Sequence, residues 1–200
     1  IRIIKNVIEK SNVNIKFLNI GGGFPSSYPG YKKFSLNDYF GKIYNEFLVF
    51  KNNYSINLNL FCEPGRSIVA NCMSLVVKVE LRKQSKLFIN DGVHGSLNNA
   101  GYLNFVYPTK LFNREDKNSR LEPFCFYGPT CDSSDFMKGP FYLPNTVNEG
   151  DWIEILKMGA YSITMKSDFN GFFSEPKIFS FKKDKLIKVN NSYNKFLLTV

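Results

Sequence analysis

The fold is decided by Ile15-Lys16-Phe17-Leu18-Asn19-Ile20-Gly21-Gly22-Gly23-Phe24-Pro25, a short run of strand-forming residues that ends abruptly at three glycines. A second apolar run, residues 57–62, ends in the same way at Glu63-Pro64-Gly65-Arg66. Apolar residues at helical spacing predict one helix over residues 1–12 and another over 35–50. The order helix, strand, loop, helix, strand, loop is typical of α/β architecture with parallel strands.

The pattern changes after about residue 72. Short β-type segments follow, and turns rich in Gly, Pro and Asn separate them. The predicted strands cover residues 75–82, 86–90, 104–112, 122–127, 151–157 and 177–181. We therefore predict an α/β plus all-β organisation, with residues 1–72 forming the α/β part and residues 73–200 forming a β domain.

The composition is that of a folded protein which is large enough to be an enzyme. The 200 residues are 44% hydrophobic and 16% aromatic, which is too apolar for a disordered chain. The formal net charge is +9, but the basic residues are scattered, and the dense cluster consists of Lys182, Lys183, Lys185 and Lys188. Because no basic stripe is interleaved with aromatic residues, we predict no binding of nucleic acid.

The numbers and positions of cysteines and histidines, together with the lack of long apolar runs, exclude several classes of protein. Four cysteines without any mark of secretion favour reduced thiols and a cytoplasmic location. There is no run of about 18 apolar residues, so we predict no membrane span. His94 is the single histidine and no C-x-x-C motif occurs, which argues against a metal site and against a Ser-His-Asp or Cys-His mechanism. The chain starts at Ile1 without an initiator Met, so we expect it to begin midway through a protein.

The loops that follow the two α/β strands have the first features of a binding site. Gly21-Gly22-Gly23 leaves successive backbone N–H groups unshielded, and such a loop can curl around a phosphate, although a tight turn explains it equally well. Arg66 in the neighbouring loop suits phosphate oxygens. Loops at the carboxyl ends of adjacent parallel strands are where a TIM-type barrel gathers a phosphate. Glu63 would repel a phosphate, so we expect it to face a cationic part of the same ligand.

A second group of chemically active residues lies in the predicted β domain. The turn Tyr127-Gly128-Pro129-Thr130-Cys131-Asp132-Ser133-Ser134-Asp135 combines a thiol, hydroxyls and carboxylates. Taken singly, Cys131 could be a small buried residue, Asp132 a turn cap and Tyr161 a core aromatic.

Five motifs, taken together and in order, resemble one family. They are Phe61-Cys62-Glu63-Pro64-Gly65-Arg66, Asn90-Asp91-Gly92-Val93, Gly128-Pro129-Thr130-Cys131-Asp132, Gly150-Asp151-Trp152 and Gly159-Ala160-Tyr161. This order resembles the pyridoxal-phosphate-dependent ornithine/lysine/diaminopimelate decarboxylases, over about residues 17–172. The family pairs an alanine-racemase-like barrel with a C-terminal β domain. The resemblance implies that residues 1–72 are the last strands and helices of a TIM-type (β/α)8 barrel and that residues 73–200 are a β-barrel or sandwich domain.

The resemblance also implies roles for individual residues. The phosphate of pyridoxal 5'-phosphate would be held by Gly21, Gly22, Gly23, Gly65, Arg66 and Tyr161. Glu63 would pair with the pyridine nitrogen, which makes the ring a better sink for electrons. Cys131 would return a proton to the carbon that loses CO₂, and Asp132 would meet the distal ammonium of the substrate. Because Cys131 and Asp132 reach into the partner's site in this family, a homodimer with composite active sites is implied.

Two features bear on the substrate. Diaminopimelate decarboxylases carry Glu at the position of Asp132 and an Arg shortly after the segment that matches Phe169-Asn170-Gly171-Phe172, whereas no Arg follows Arg120 here. The resemblance therefore favours a basic amino acid, ornithine or lysine, which yields a diamine for polyamine synthesis. His94 replaces a Tyr that many relatives have, and residues 98–103 lack an expected acidic residue. We interpret His94 as a satisfied surface or interface histidine rather than as a catalytic one.

Alternatives to an ornithine or lysine decarboxylase remain open. The lysine that forms the Schiff base belongs to an early part of the family's barrel, so we expect this 200-residue chain to be inactive by itself and its full-length parent to be the enzyme. The parent could instead be a non-catalytic homologue that binds a regulatory partner, as the antizyme inhibitors do, or a diaminopimelate decarboxylase. A basic β-domain binding module that keeps idle motifs is a third possibility.

Overall fold

The computed structural model describes residues 2–10, 15–31, 35–54, 57–112, 118–171, 176–182 and 185–188. Its N-terminal part contains two parallel strands, β1 (Phe17–Asn19) and β2 (Asn59–Phe61). Helix α1 (Arg2–Lys10) precedes β1, and helix α2 (Leu36–Tyr54) connects the two strands. This order confirms the α/β pattern that was predicted from the sequence, including the parallel pairing.

In the layer formed by α2, β1 and β2, apolar side chains are buried on one side only. Helix α2 begins after Ser35, whose Oγ accepts a hydrogen bond from the backbone N–H of Asp38 at 3.4 Å, as a cap residue does. Its Phe47 and Phe50 pack on Leu58 in a small core. Elsewhere in the layer large apolar side chains are exposed, with Phe17 at 63% and Phe61 at 54%, each on one of the two strands.

A short helix, α3 (Arg66–Val69), leads into a six-stranded sheet. Its strands are β3 (Leu75–Lys83), β4 (Lys86–Ile89), β5 (Thr109–Leu111), β6 (Leu121–Tyr127), β7 (Phe136–Pro144) and β8 (Trp152–Ile155). Their order is β5-β8-β3-β4-β6-β7, and all neighbours are antiparallel except β4 and β6. The two edges approach each other, since Thr109 Oγ1 donates to the carbonyl oxygen of Tyr142 at 3.1 Å. The sheet is therefore nearly closed, as a β-barrel domain requires.

In the part of the chain that the structure describes, one further helix, a two-stranded hairpin and three short 3-10 helices (Ala70–Cys72, Ile163–Met165 and Phe169–Gly171) accompany the sheet. Helix α4 (Asn98–Tyr102) lies between β4 and β5, and β9 (Phe179–Lys182) pairs antiparallel with β10 (Lys185–Lys188). Within the described residues, no helix has the length and apolar character that a membrane span needs.

The main core lies inside the sheet and reaches into the α/β part. Phe126 and Phe141 stack at 4.1 Å between ring centroids, and burial of each such side chain contributes about 1.5–3 kcal/mol. Tyr28, from the segment after the three glycines, belongs to the same core and donates from its hydroxyl to the carbonyl oxygen of Lys157 at 3.0 Å. Lys157 Nζ donates to Ser27 Oγ at 2.9 Å. Residues 24–31 are thus anchored to the β domain.

The structure differs from the sequence prediction at three strands, one of which, β10 (Lys185–Lys188), was not predicted. The strand predicted over residues 104–112 is confined to β5, because Phe105 and Tyr107 pack with Tyr28 in an aromatic cluster. Strand β7 was not predicted, because Gly139 and Pro140 read as turn residues. The ladder between β6 and β7 shifts register between Phe124 and Phe126, so Gly139 and Pro140 lie at an irregularity of the pairing, where proline is tolerated.

Several predicted features fall outside the part of the chain that the structure describes. These are residues 1, 11 and 12 of the first predicted helix, Phe172 of the last matching segment, Lys183 of the basic cluster and residues 189–200 of the predicted β domain. The boundary near residue 72 stays a prediction.

Candidate functional site

The two loops that follow β1 and β2 form one surface. The backbone N–H of Glu63 donates to the carbonyl oxygen of Gly21 at 2.8 Å. Gly21 and Gly23 have φ of +73° and +80°, a conformation that favours glycine. A Cβ atom on Gly22 would lie 2.6 Å from the carbonyl oxygen of Glu63, so the loops can approach this closely only with glycine there.

An asparagine that the sequence analysis did not single out orients the carboxylate of Glu63. Asn19 is the last residue of β1, and its Nδ2 donates to Glu63 Oε1 at 2.6 Å. The Oδ1 atom of Asn19 accepts from the backbone N–H of Gly21 at 2.9 Å. Asn19 therefore fixes both the start of the glycine loop and the direction of the exposed Glu63 side chain. Its position at the strand end, next to the glycines, was the available signal.

Arg66 and Tyr161, both predicted phosphate ligands, lie next to each other. The guanidinium carbon of Arg66 is 4.9 Å from the ring centroid of Tyr161 and 4.7 Å from that of Phe105, within the range of cation–π contacts. Arg66 Nη1 is buried without a hydrogen-bond partner among the described residues. Tyr161 is 53% exposed. Gly65 precedes α3 and accepts at its carbonyl oxygen from the N–H of Ile68 at 3.0 Å.

The turn that contains Cys131 and Asp132 is shaped by a buried carboxylate. Asp135 is 3% exposed, and its Oδ1 accepts from the backbone N–H of Val93 at 2.7 Å. Its Oδ2 accepts from the Thr130 hydroxyl at 2.7 Å and from the Thr130 N–H at 3.1 Å. This role of Asp135 was not predicted from the sequence. Asp135 ties residues 128–135 to the loop after β4, so the turn is held rigidly.

Asp132 and His94 form a hydrogen-bonded pair. His94 Nε2 lies 2.9 Å from Asp132 Oδ2, and both side chains are only partly exposed. Asp132 Oδ1 accepts from the N–H of Ser134 at 2.8 Å, and Oδ2 accepts from its hydroxyl at 2.7 Å. These hydrogen bonds from Ser134, with the one from His94, lower the pKa of Asp132 to about 2. The pairing agrees with the interpretation of His94 as a satisfied histidine.

Two further residues bound this region. The His94 ring stacks on Phe169 with centroids 4.1 Å apart, and Asn170 Nδ2 donates to the exposed Cys131 Sγ at 3.3 Å. We call these residues the thiol–carboxylate cluster: Cys131, Asp132, His94, Phe169 and Asn170. No hydrogen bond or ring contact between described residues joins the cluster directly to Glu63 or Arg66. None of the described residues forms a group of three or more His, Cys, Asp or Glu side chains that could hold a metal.

The Asp132 carboxyl is expected to titrate near pH 2 instead of its ordinary 3.8, because Ser134 stabilises the ionised form. A lowered folded-state pKa adds stability above the ordinary pKa, and this contribution is lost as the pH falls from about 3.8 to about 2. Ser134→Ala removes the hydroxyl donor and should raise the pKa. Carboxyl-detected NMR titration of both proteins measures the midpoints. Identical midpoints would contradict the hydrogen-bond assignment.

Comparison with known proteins places the chain in a family. Residues 7–159 match the family model described as "Pyridoxal-dependent decarboxylase, C-terminal sheet domain". Diaminopimelate decarboxylase of Helicobacter pylori is 33% identical over 88% of this chain and 42% of its own length. Ornithine decarboxylase of Schizosaccharomyces pombe is 32% identical over 80% of this chain and 38% of its own length. Antizyme inhibitor 2 of Xenopus laevis is 28% identical over 88% of this chain and 41% of its own length. The chain therefore spans about two fifths of the length of these relatives.

Solved structures agree with this placement. The structure resembles diaminopimelate decarboxylase from Helicobacter pylori complexed with L-lysine, with a TM-score of 0.70 and 28% identity over 94% of this chain and 44% of that one. It also resembles lysine/ornithine decarboxylase from Vibrio vulnificus complexed with cadaverine, with a TM-score of 0.66 and 29% identity over 86% of this chain and 45% of that one. The chain belongs to the family of pyridoxal-dependent decarboxylases and contains their C-terminal sheet domain.

Proposed function

We propose that the protein containing this chain removes CO₂ from ornithine or lysine and releases a diamine for polyamine synthesis. The family depends on pyridoxal phosphate. The observation that carries the proposal is the presence, in one chain, of an oriented Glu63 beside a glycine loop and of an ionised Asp132 beside the Cys131 thiol. A carboxylate for the cofactor ring, a proton donor and a carboxylate for a cationic tail are the groups that this reaction needs.

The residues of the two loops and of α3 fit the phosphate of the cofactor. The glycine loop has no room for a Cβ at Gly22, and Arg66 Nη1 is a buried donor without a hydrogen-bond partner among the described residues. An anion would satisfy such a donor. The proposed phosphate ligands are Gly21, Gly22, Gly23, Gly65, Arg66 and Tyr161.

Glu63 is proposed to hold the proton on the pyridine nitrogen. When bound, the cofactor supplies a cationic ring that accepts the electrons released as CO₂ leaves. A carboxylate beside that nitrogen favours its protonated form. The hydrogen bond from Asn19 Nδ2 fixes the orientation of the Glu63 carboxylate. The side chain therefore does not have to change its orientation when the cofactor binds.

Cys131 and Asp132 are proposed to act on the substrate in the partner's site. The Asp132 carboxylate attracts the distal ammonium, and the Cys131 thiol delivers a proton to the substrate carbon. Because the thiol–carboxylate cluster has no described contact with Glu63 or Arg66, we propose a homodimer whose subunits each supply part of two composite sites.

The α/β part is proposed to belong to a larger barrel. We assign residues 1–72 to the last strands and helices of a TIM-type (β/α)8 barrel and residues 73–200 to the C-terminal β domain. The exposed rings of Phe17 and Phe61 on the parallel strands support this assignment, since further strands and helices of such a barrel would cover them. We also propose a cytoplasmic location.

Two alternatives concern the same site. The similarity to the Helicobacter pylori enzyme favours diaminopimelate as the substrate, whereas Asp132 in place of Glu and the lack of an Arg after Arg120 favour a plain cationic tail. The similarity to antizyme inhibitor 2 favours a non-catalytic regulatory protein. Both alternatives make predictions that differ in one assay.

The full-length protein with bound pyridoxal phosphate is expected to release CO₂ from ornithine or lysine. The substitution Glu63→Gln is expected to lower kcat roughly 100-fold, because glutamine lacks the charge that stabilises the protonated cofactor ring. The visible absorbance of the cofactor should persist in the variant. We also propose that the isolated 200-residue chain releases no CO₂, because in the family that it resembles the Schiff-base lysine belongs to an early part of the barrel. CO₂ release from diaminopimelate alone would identify that substrate instead. Absence of CO₂ release from all three amino acids would favour the regulatory protein.

A further inference from the structure

We propose that His94 sets how strongly the distal site prefers a cationic substrate tail, because it competes with that tail for the carboxylate of Asp132. The inference rests on the proposed function, in which Asp132 meets the distal ammonium. His94 is then a specificity-determining residue that acts through Asp132, and its removal should strengthen binding of the tail.

The carboxylate of Asp132 has little hydrogen-bonding capacity left. Two carboxylate oxygens offer about four lone-pair sites. Ser134 takes one site on Oδ1 and one on Oδ2, and His94 Nε2 lies 2.9 Å from Oδ2. A substrate ammonium must therefore use the remaining site or displace the imidazole.

Asp132 does not need His94 to stay in place. Ser134 contacts both carboxylate oxygens, and the backbone carbonyl of Asp132 accepts from the N–H of Asp135 at 3.0 Å. The imidazole, in turn, is fixed independently of Asp132 by the stack on Phe169, whose ring is tilted by 10°, and by the N–H of Ser167, which donates to the His94 carbonyl oxygen at 2.9 Å. The contact thus joins two separately anchored groups.

Asp132 is the single carboxylate of the thiol–carboxylate cluster as the structure describes it. The segment 98–103 contains no acidic residue. The carboxylate of Asp135 is buried and already accepts from Val93 and Thr130. Asp132 is therefore the carboxylate available to a substrate tail, and the imidazole reduces its attraction for an ammonium. The native site should discriminate only weakly between a charged tail and an uncharged tail of the same length.

The test uses His94→Phe in the full-length protein with bound cofactor, since phenylalanine can keep the stack on Phe169. Loss of one hydrogen bond to a charged group changes an affinity about 10-fold, so we expect KM for lysine or ornithine to fall by about that factor, with the effect on KM rather than on kcat. The preference for lysine over an uncharged analogue of equal length should rise similarly. His94→Gln, which retains an N–H donor, should restore native values.

A KM for lysine that is unchanged or higher in His94→Phe would overturn the inference. Failure of the proposed function is a separate result. If the native protein releases no CO₂, the affinity for cadaverine is measured by calorimetry on the same cofactor-loaded proteins. Tighter binding of cadaverine by His94→Phe than by the native protein supports the competition, and equal or weaker binding refutes it.

Discussion

Cys131→Ala is expected to lower the rate of decarboxylation about 100-fold while pyridoxal phosphate stays bound, because a positioned general acid contributes at least that much. The Cys131 thiol is exposed, and the Asn170 amide fixes its sulfur at 3.3 Å. Alanine removes the proposed proton donor and leaves the turn intact, since Asp135 shapes the turn through Val93 and Thr130. Slower delivery of the proton to the substrate carbon should also divert some protonation to the wrong carbon and so give a product other than the diamine.

Steady-state kinetics and product analysis on the full-length protein test this expectation. Cys125→Ala is the matched control, because the Cys125 thiol lies on β6, where burial raises its pKa and its nearest described partner is the carbonyl oxygen of Ser85 at 3.7 Å. The control should have native kinetics. Native rates and a single diamine product in Cys131→Ala would assign the thiol to packing instead.

The sequence predicts the elements whose signals are local. The apolar spacing of α2 and the strand formers that end at Gly21 depend on neighbouring residues, so α2, β1 and β2 agree with the prediction. Strand β7 was not predicted because Gly139 and Pro140 are residue types that occur mostly in turns. They are accommodated by the register shift in the pairing of β6 with β7, and strand register is a property of the whole fold.

Residues of the candidate site could be singled out from the sequence where motifs mark them, whereas contacts between distant residues could not. Cys131, Asp132 and Glu63 were singled out through motifs that resemble a family. Asp135 looks like any polar turn residue, and its role depends on Val93, which lies 42 positions earlier. The approach of His94 to Asp132 spans 38 positions and follows from the packing of two loops. Contacts of this kind need the fold before they can be inferred.

Gly159→Ala is expected to destabilise the protein by about 3 kcal/mol or more, because the new methyl group has no space. Its Cβ would lie 1.7 Å from the carbonyl oxygen of Val69, a backbone atom that can move only with the end of α3. The native backbone N–H of Gly159 donates to the carbonyl oxygen of Ala70 at 3.2 Å, so the two segments touch directly. A shift there also carries Tyr161 away from Arg66, and we expect weaker cofactor binding.

Gly41→Ala is the matched control for this substitution, because Gly41 lies inside α2 and a Cβ there has no heavy atom within 4 Å outside its own helix. Alanine at a helix interior should raise the free energy of unfolding by about 0.5–1 kcal/mol. Urea denaturation of the full-length variants measures both changes, and titration with pyridoxal phosphate measures the affinity. If Gly159→Ala unfolds at the native urea concentration, the close contact between residues 69 and 159 is wrong. If it is destabilised but binds the cofactor normally, Tyr161 is not a phosphate ligand.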